Sequence, residues 1–472
     1  MTTLTSLPAV AAPSSTRRWL ALSVLALAQF LVVLDASIVN IALPVIGRQL
    51  GMDTATLSWV ITAYVLAFGG LLLLGGRLAD RYGHRRVFLL GAAGFVAASA
   101  LAGFSFSSEM LLSARALQGV SAALLAPAAL ALLTQLFPDD AERTKALGVW
   151  GAVAGAGSAA GVLLGGVLTA TLGWQSVFFV NVPIGALVLI AIPLLITRDG
   201  LRVSGRLDAA GAVTVTAALV SLVGALSAVE QVGFVHPLPL GLLALALMLG
   251  GVFVAIERRA AAPLVPLRVF RNRNLALGNI VMLLGGATMV ALFFALSVYM
   301  QAVLGYDALT AGLTQLPLAG VLVLVAGVVP AVIARVGTRP VLIGALLLLA
   351  AGLVWLSASP VDAAFLTHLL GPTLLIGVGL GGAVVATTQL AVDGVEGGEA
   401  GLAGGLVNTS QQFGGAIGLA VLGTVAGLRT AALSAEGSSH AEALTGGFSW
   451  LFLGAAGLAV VGAAIVAVWR RD

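Results

Sequence analysis

Asp35 and Arg115 are the only charged side chains that fall deep inside apolar segments of this 472-residue chain. The other acids and bases sit in short connecting stretches or near the ends of apolar runs. An ionisable group at the centre of a bilayer costs roughly 2.5–3.5 kcal/mol on insertion scales, and such residues mark ion or substrate pathways. A lone carboxylate can hold a proton or a cation, and a guanidinium beside it favours its charged form. Asp35 lies 17 residues beyond Arg18, roughly 25 Å at 1.5 Å per residue. Arg115 lies about five residues, roughly 8 Å, from the opposite end of its own segment. Both therefore reach the outer half of a ~30 Å hydrocarbon layer. A structural ion pair locking two helices is the competing reading.

The elements that must hold these two residues are membrane helices. The chain is 60% hydrophobic and 9% charged, with a mean hydropathy of +1.10, whereas soluble domains carry about 25% charged residues. It divides into fourteen apolar stretches of about 20 residues, from 18–46 to 447–469, each long enough to cross a bilayer. Of the 23 arginines and lysines, only Arg48 and Arg429 fall on the far side if both termini are cytoplasmic. Arg115 is within the membrane, and the remaining twenty fall on the near side, as the positive-inside bias requires. The expected fold is an all-α polytopic membrane protein of 14 transmembrane helices in the plasma (cell inner) membrane.

Several chemistries are excluded. Cysteine is absent, so there are no disulfides, thiolate metal sites or cysteine nucleophiles. The single lysine, Lys145, follows Arg143-Thr144 and fits no G-x-x-x-x-G-K-[ST] loop. Histidines 84, 236, 368 and 440 are not at metal-ligand spacing. No metal and no cofactor other than a proton gradient is expected, and no nucleic acid, since the basic residues are dispersed among loops. An intramembrane enzyme is a remote alternative.

A repeat organises the chain. Arg81-Tyr82-Gly83-His84-Arg85-Arg86-Val87 and Arg335-Val336-Gly337-Thr338-Arg339-Pro340-Val341 share the pattern R-x-G-x-R-x-V at an offset of 254 residues. Each follows the second helix of a six-helix block if two helices are inserted between the blocks. The division is then a disordered cytoplasmic tail over 1–16, a six-helix bundle over 17–197, a linker with helices 7 and 8 over 198–262, and a second bundle over 263–472. The tail is polar and small and lacks the apolar core of a cleavable signal. Two pseudo-symmetric bundles with a site between them are a transporter plan.

Longer motifs sharpen this. Leu34-Asp35-Ala36-Ser37-Ile38-Val39-Asn40-Ile41-Ala42-Leu43-Pro44, the stretch Gly76-Arg77-Leu78-Ala79-Asp80-Arg81-Tyr82-Gly83-His84-Arg85-Arg86, and Arg115-Ala116-Leu117-Gln118-Gly119 stand in the first, second-to-third and fourth segments. Gly157, Gly161, Gly165 and Gly166 follow in the fifth, and Trp174, Phe178, Asn181, Pro183 and Gly185 in the sixth. Further along come Tyr299-Met300-Gln301 and Gly404-Gly405-Leu406-Val407-Asn408 with Gln411 and Gln412. Across nearly its whole length the chain resembles the fourteen-helix drug:proton antiporter branch of the major facilitator superfamily. Val162 stands where that branch's glycine motif has proline, and His84 where its loop has Arg or Lys.

The resemblance implies a secondary active transporter, a monomer, that exports hydrophobic or cationic drugs, or a toxic natural product, in exchange for protons. A proton-coupled uptake symporter for a small metabolite is the alternative. It implies proton coupling at Asp35 and Arg115 and a conformational latch at Gly76, Asp80, Arg81, Gly83 and Arg85. The i, i+4 repeat of Gly157, Gly161 and Gly165 makes a flat face for close helix contact, expected at a moving interface. Asn40, Tyr64, Gln118, Asn279, Gln315, Asn408, Gln411 and Gln412 are candidate cavity residues, each with a satisfied interhelical hydrogen bond as its plainer reading.

Overall fold

A computed structural model describes residues 15–196, 208–260, 263–265, 267–393 and 400–469. Residues 1–14 of the expected tail, residue 197, the first part of the expected linker (198–207) and the basic residues Arg198, Arg202, Arg206, Arg470 and Arg471 lie outside them. Ser15 and Thr16, assigned to the tail, already belong to the first helix.

The described residues are helical and contain no strand. The helices are α1 (Ser15–Leu50), α2 (Thr54–Tyr82), α3 (His84–Gly103), α4 (Ser108–Leu136), α5 (Asp140–Leu172), α6 (Ser176–Phe179), α7 (Asn181–Leu195), α8 (Ala209–Val232) and α9 (Pro237–Arg259). After them come α10 (Arg273–Val298), α11 (Ala308–Val336), α12 (Thr338–Ser357), α13 (Leu370–Val392), α14 (Ala400–Ala435) and α15 (His440–Val468). Thirteen described segments are long and apolar enough to cross a membrane, with α6 and α7 forming one of them. The 33-residue α5 brings the number to the expected fourteen.

Local chemistry sets the boundaries. Asp53, Ser107, Asp307 and Ser439 each accept a backbone N–H in the first turn of α2, α4, α11 and α15, which satisfies donors the helix leaves open. Hydrogen bonds from Thr310 hold the Asp307 carboxyl below its usual range. Gly83 and Gly337, the central residues of the repeated loop, have φ of 100° and 94°, a region only glycine enters freely. Each ends one helix and starts the next, so the repeat builds the same one-residue reversal twice.

Packing repeats as well. In the first half α1 packs on α4, α5 and α7, α2 on α4, and α3 on α4 and α7. In the second half α10 packs on α13, α14 and α15, α11 on α13, and α12 on α13 and α15. Each pair in one half has its counterpart in the other. The loop arginines follow suit: Arg85 Nη2 donates to Pro193 O near the end of α7 (3.3 Å) and Arg339 Nη1 to Trp469 O just past α15 (2.7 Å). A cation there complements the negative end of the helix dipole. Between the halves, α2 meets α14 and α5 meets α11, while α8 lies against α2 and α14 and carries α9 on its outer side.

Candidate functional site

Asp35 and Arg115 meet. The Arg115 guanidinium donates from Nη1 to Asp35 Oδ2 at 2.6 Å, and both side chains are fully buried. A buried ion pair holds only if its polar atoms find partners, and here Arg115 Nε and Nη1 and both Asp35 oxygens do. Arg115 Nε donates to the Val60 carbonyl (2.9 Å) and Nη1 also to Gln118 Oε1 (2.9 Å). Asp35 Oδ1 accepts from Gln118 Nε2 (2.9 Å) and Asn181 Nδ2 (2.7 Å). Ser99 Oγ accepts from Gln118 Nε2 at 2.8 Å. The guanidinium also lies over the Tyr64 ring, 4.4 Å from its centroid, a cation–π contact. Five helices thus converge on one carboxylate: α1, α2, α3, α4 and α7.

Glycines make the convergence possible. A Cβ on Gly119, one residue from Gln118, would run into the Tyr64 carbonyl and Ala67 of α2. Gly75 of α2 sits directly on the Ala123 carbonyl of α4, which is left without its helical donor because residue 127 is proline.

A cavity of about 980 Å³ lies between the halves. It reaches the end of the bundle that carries the α2–α3 loop, where Arg77, Asp80, His84 and Leu264 line it. At the other end the helices close. A Cβ on Gly166 of α5 would lie 2.7 Å from Ala308 O, and one on Gly312 of α11 2.8 Å from Val162 O. Pro44 has no N–H for the Asn40 carbonyl, and Ser297 Oγ of α10 donates to that carbonyl instead. Gln301 Nε2 adds a hydrogen bond to Ile41 O at 2.9 Å.

Residues 25–419 match the family model of the Major Facilitator Superfamily. The chain belongs to that superfamily. As a member it is a multi-pass membrane transporter of small molecules rather than an enzyme. A puromycin resistance protein of Streptomyces alboniger is 44% identical over 437 residues, 91% of this chain and 86% of that protein. A cephamycin export protein of Amycolatopsis lactamdurans is 44% identical over 88% of this chain and 86% of its own. Among solved structures, an auto-inhibited peptide transporter of the POT family covers 97% of this chain and 98% of its own at a TM-score of 0.70. With 16% identity, it shares the superfamily fold.

The fold distributes the candidate residues unevenly. Asn40, Tyr64, Gln315, Asn408, Gln411 and Gln412 line the cavity, as does Arg115. Gln118 does not: it is fully buried and committed to Asp35, Ser99 and Arg115. Asn279 does not either, because its amide is taken by Leu275 O and Ser410 Oγ. Asp35 stands behind the cavity wall, not in it.

The glycine face needs a similar correction. Gly157, Gly161 and Gly165 pack against Phe30, Leu34, Ser37 and Ile38 of α1, inside the first half. The contact between halves belongs to Val162 and Gly166, one residue further round the helix from Gly161 and Gly165. In the loop, Gly76 and Asp80 line the cavity mouth, and His84 bridges Asp80 Oδ1 and Gln135 Nε2 at 3.0 Å each. Arg81 lies over the Tyr82 ring. Asp80 is bonded within its own half in this conformation, and Arg77, beside the expected latch residues, donates from Nη2 to Pro263 O (3.1 Å).

Two members of the network carried no assignment from sequence. Ser99 is one serine in an alanine-rich helix, with nothing to set it apart. Asn181 and Gln175 are the two amides in the sixth apolar segment, and the place of Asn181 further into the apolar run was the available signal.

Proposed function

We propose that this transporter exports a largely apolar, hydrogen-bonding small molecule in exchange for protons, by alternating access, with both termini and the cavity mouth in the cytoplasm of the cell. The observation that carries the reading is the buried Asp35–Arg115 pair, Arg115 in the wall and Asp35 behind it, beside a cavity of about 980 Å³ that closes at one end. The resistance and export functions in the relatives' names support the outward direction.

The chemistry of the cavity narrows the cargo. Six amide side chains, Gln29, Asn40, Gln315, Asn408, Gln411 and Gln412, are set among apolar ones. Its acids are already engaged, Asp80 with His84 and, behind the wall, Asp35 with Arg115. Among the described residues lining the cavity a cation finds no unpaired carboxylate, so the hydrophobic branch of the expected substrate class fits better than the cationic one.

Coupling runs through α1. Protonation of Asp35 removes the charge that holds Arg115 and two amide donors. Five residues on, about 7.5 Å along the helix, α1 presents the Asn40 and Ile41 carbonyls that close the far end. One rigid helix therefore carries both the proton site and the closing contacts. The test is a susceptibility profile of an efflux-deficient host expressing the protein, against neutral and cationic toxic compounds. Protection confined to cations would overturn the cargo assignment, and no protection at all would overturn export.

A further inference from the structure

The two seams between the halves are built differently. On one side α5 meets α11 directly, glycine against backbone, at Gly166 and Gly312. On the other side α2 meets α14, and the inserted helix α8 lies along both. Neighbouring glycines of α2 make room for the two partners. A Cβ on Gly69 would lie 2.6 Å from Gln412 Cβ of α14, and one on Gly70 would run into Thr216 of α8. Thr216, Leu219, Val223 and Ser227 stand three or four residues apart and so share one face of α8. Leu219 and Val223 of that face are buried in the main core.

Towards the far end of this seam, consecutive residues of α8 are bonded one to each half. Trp59 Nε1 of α2 donates to Ser227 Oγ (3.2 Å), and Thr424 Oγ1 of α14 donates to Leu226 O (3.1 Å). The two ties are unequal. An indole has a single N–H and no acceptor, so without Ser227 it loses its partner. The Thr424 hydroxyl also has one hydrogen, but its shorter bond, 2.7 Å, is to Ala420 O in its own helix. Leu226 O is an interior carbonyl of α8, where the helix supplies a donor of its own. Parting α8 from α14 therefore leaves every one of these polar atoms with a partner. The cost of leaving a donor unpaired falls on the α2 side alone.

The α2 side is also held along its length. Arg77 Nη2, near the other end of α2, donates to Pro263 O in the chain that leaves the hairpin (3.1 Å). Trp59, Gly70 and Arg77 thus fix the insertion at three levels, the first and last 18 residues apart. That is about 27 Å of helix, close to the thickness of the hydrocarbon layer.

We propose that the inserted hairpin α8–α9 is a fixed part of the first half, and that on this side the far end opens between α8 and α14. The inference rests on the alternating-access reading for the opening itself, and on the bonds above for the half with which the hairpin travels. When α2 and α14 separate, α8 goes with α2. The gap is then walled by α14 on one side and by the Leu226–Ser227 turn of α8 on the other. The insertion thereby supplies part of the exit wall that two six-helix bundles alone would leave to α2.

The chain has no cysteine, so pairs of nitroxide labels can be placed through Phe106→Cys, Val235→Cys and Glu436→Cys. These positions are exposed at the far end, in the first half, at the hairpin tip and in the second half. The readout is the set of pulsed EPR distances in lipid vesicles at acidic and alkaline pH. Phe106–Glu436 reports opening of the far end. When it lengthens, Val235–Glu436 should lengthen with it while Val235–Phe106 stays unchanged. A change in Val235–Phe106 with Val235–Glu436 constant, or equal changes in both, overturns the proposal. A second arm does not depend on opening. Trp59→Phe and Ser227→Ala each remove the tie to α2 and should broaden the Val235–Phe106 distribution, whereas Thr424→Val should leave it as in the native background. Broadening by Thr424→Val as large as that by Trp59→Phe, or by none of the three, overturns the proposal as well. If Phe106–Glu436 is the same at every pH, the proton-driven opening fails, and the second arm still decides to which half the hairpin belongs.

Discussion

Replacing Asp35 by Asn should separate stability from coupling in a way that the geometry makes quantitative. The asparagine keeps one acceptor for Arg115 but turns an NH2 toward Gln118 Nε2 and Asn181 Nδ2, both donors. It also leaves the Arg115 charge fully buried without a counter-ion. Breaking one side of a buried pair costs about 3–5 kcal/mol. A protein that still folds should therefore show a clear loss of thermal stability in detergent, read by loss of monodisperse elution after heating. Adding Arg115→Gln removes the stranded charge, and the double variant should recover most of the lost stability, since neutral replacement of a buried pair is often neutral or better. Proton-coupled transport should stay absent in both. The reasoning fails if Asp35→Asn is as stable as the native protein, or if the double variant is less stable than either single change. Recovery of uphill transport in the double variant would also refute it.

Other outcomes follow from single contacts. Gly161→Val should disrupt the α1–α5 packing, because even a Cβ there would lie 2.5 Å from Ser37 Cβ and 3.0 Å from Leu34 O. Overpacking of this kind costs about 1–3 kcal/mol, and Gly423→Ala, which meets open space, should be harmless in the same heating assay. Ser297→Ala removes the donor to the Asn40 carbonyl and should favour opening of the far end by about 0.5–1.5 kcal/mol, measured as faster labelling of a cysteine at Ser37 from that side. Asp80→Asn should change the rate of cycling and leave substrate binding intact. Lost binding with unchanged accessibility would rule out a role for the loop in conformational control.

Much of this was legible in the residues. A charge inside an apolar run is costly enough to announce itself, so Asp35 and Arg115 stand out and their similar depth foretells contact. The R-x-G-x-R-x-V repeat encodes a helix reversal at glycine, and both copies have it. What was not legible is which way a polar side chain turns within a helix buried on all sides. Gln118 shares a face with Arg115 by i, i+3 spacing, yet faces the carboxylate and not the cavity. Asn279 is spent on its own turn and on Ser410. Gly157, Gly161 and Gly165 announce close packing, but the partner helix follows only from the three-dimensional arrangement.

The central claim is that protons and cargo move in opposite directions, coupled through α1. Inside-out vesicles with an acidic lumen and a lumenal pH dye test it directly. A compound against which the protein confers resistance should alkalinise the lumen of vesicles containing the native protein while accumulating there, and do neither in vesicles containing Asp35→Asn. Accumulation without proton movement, or with further acidification of the lumen, would contradict the account.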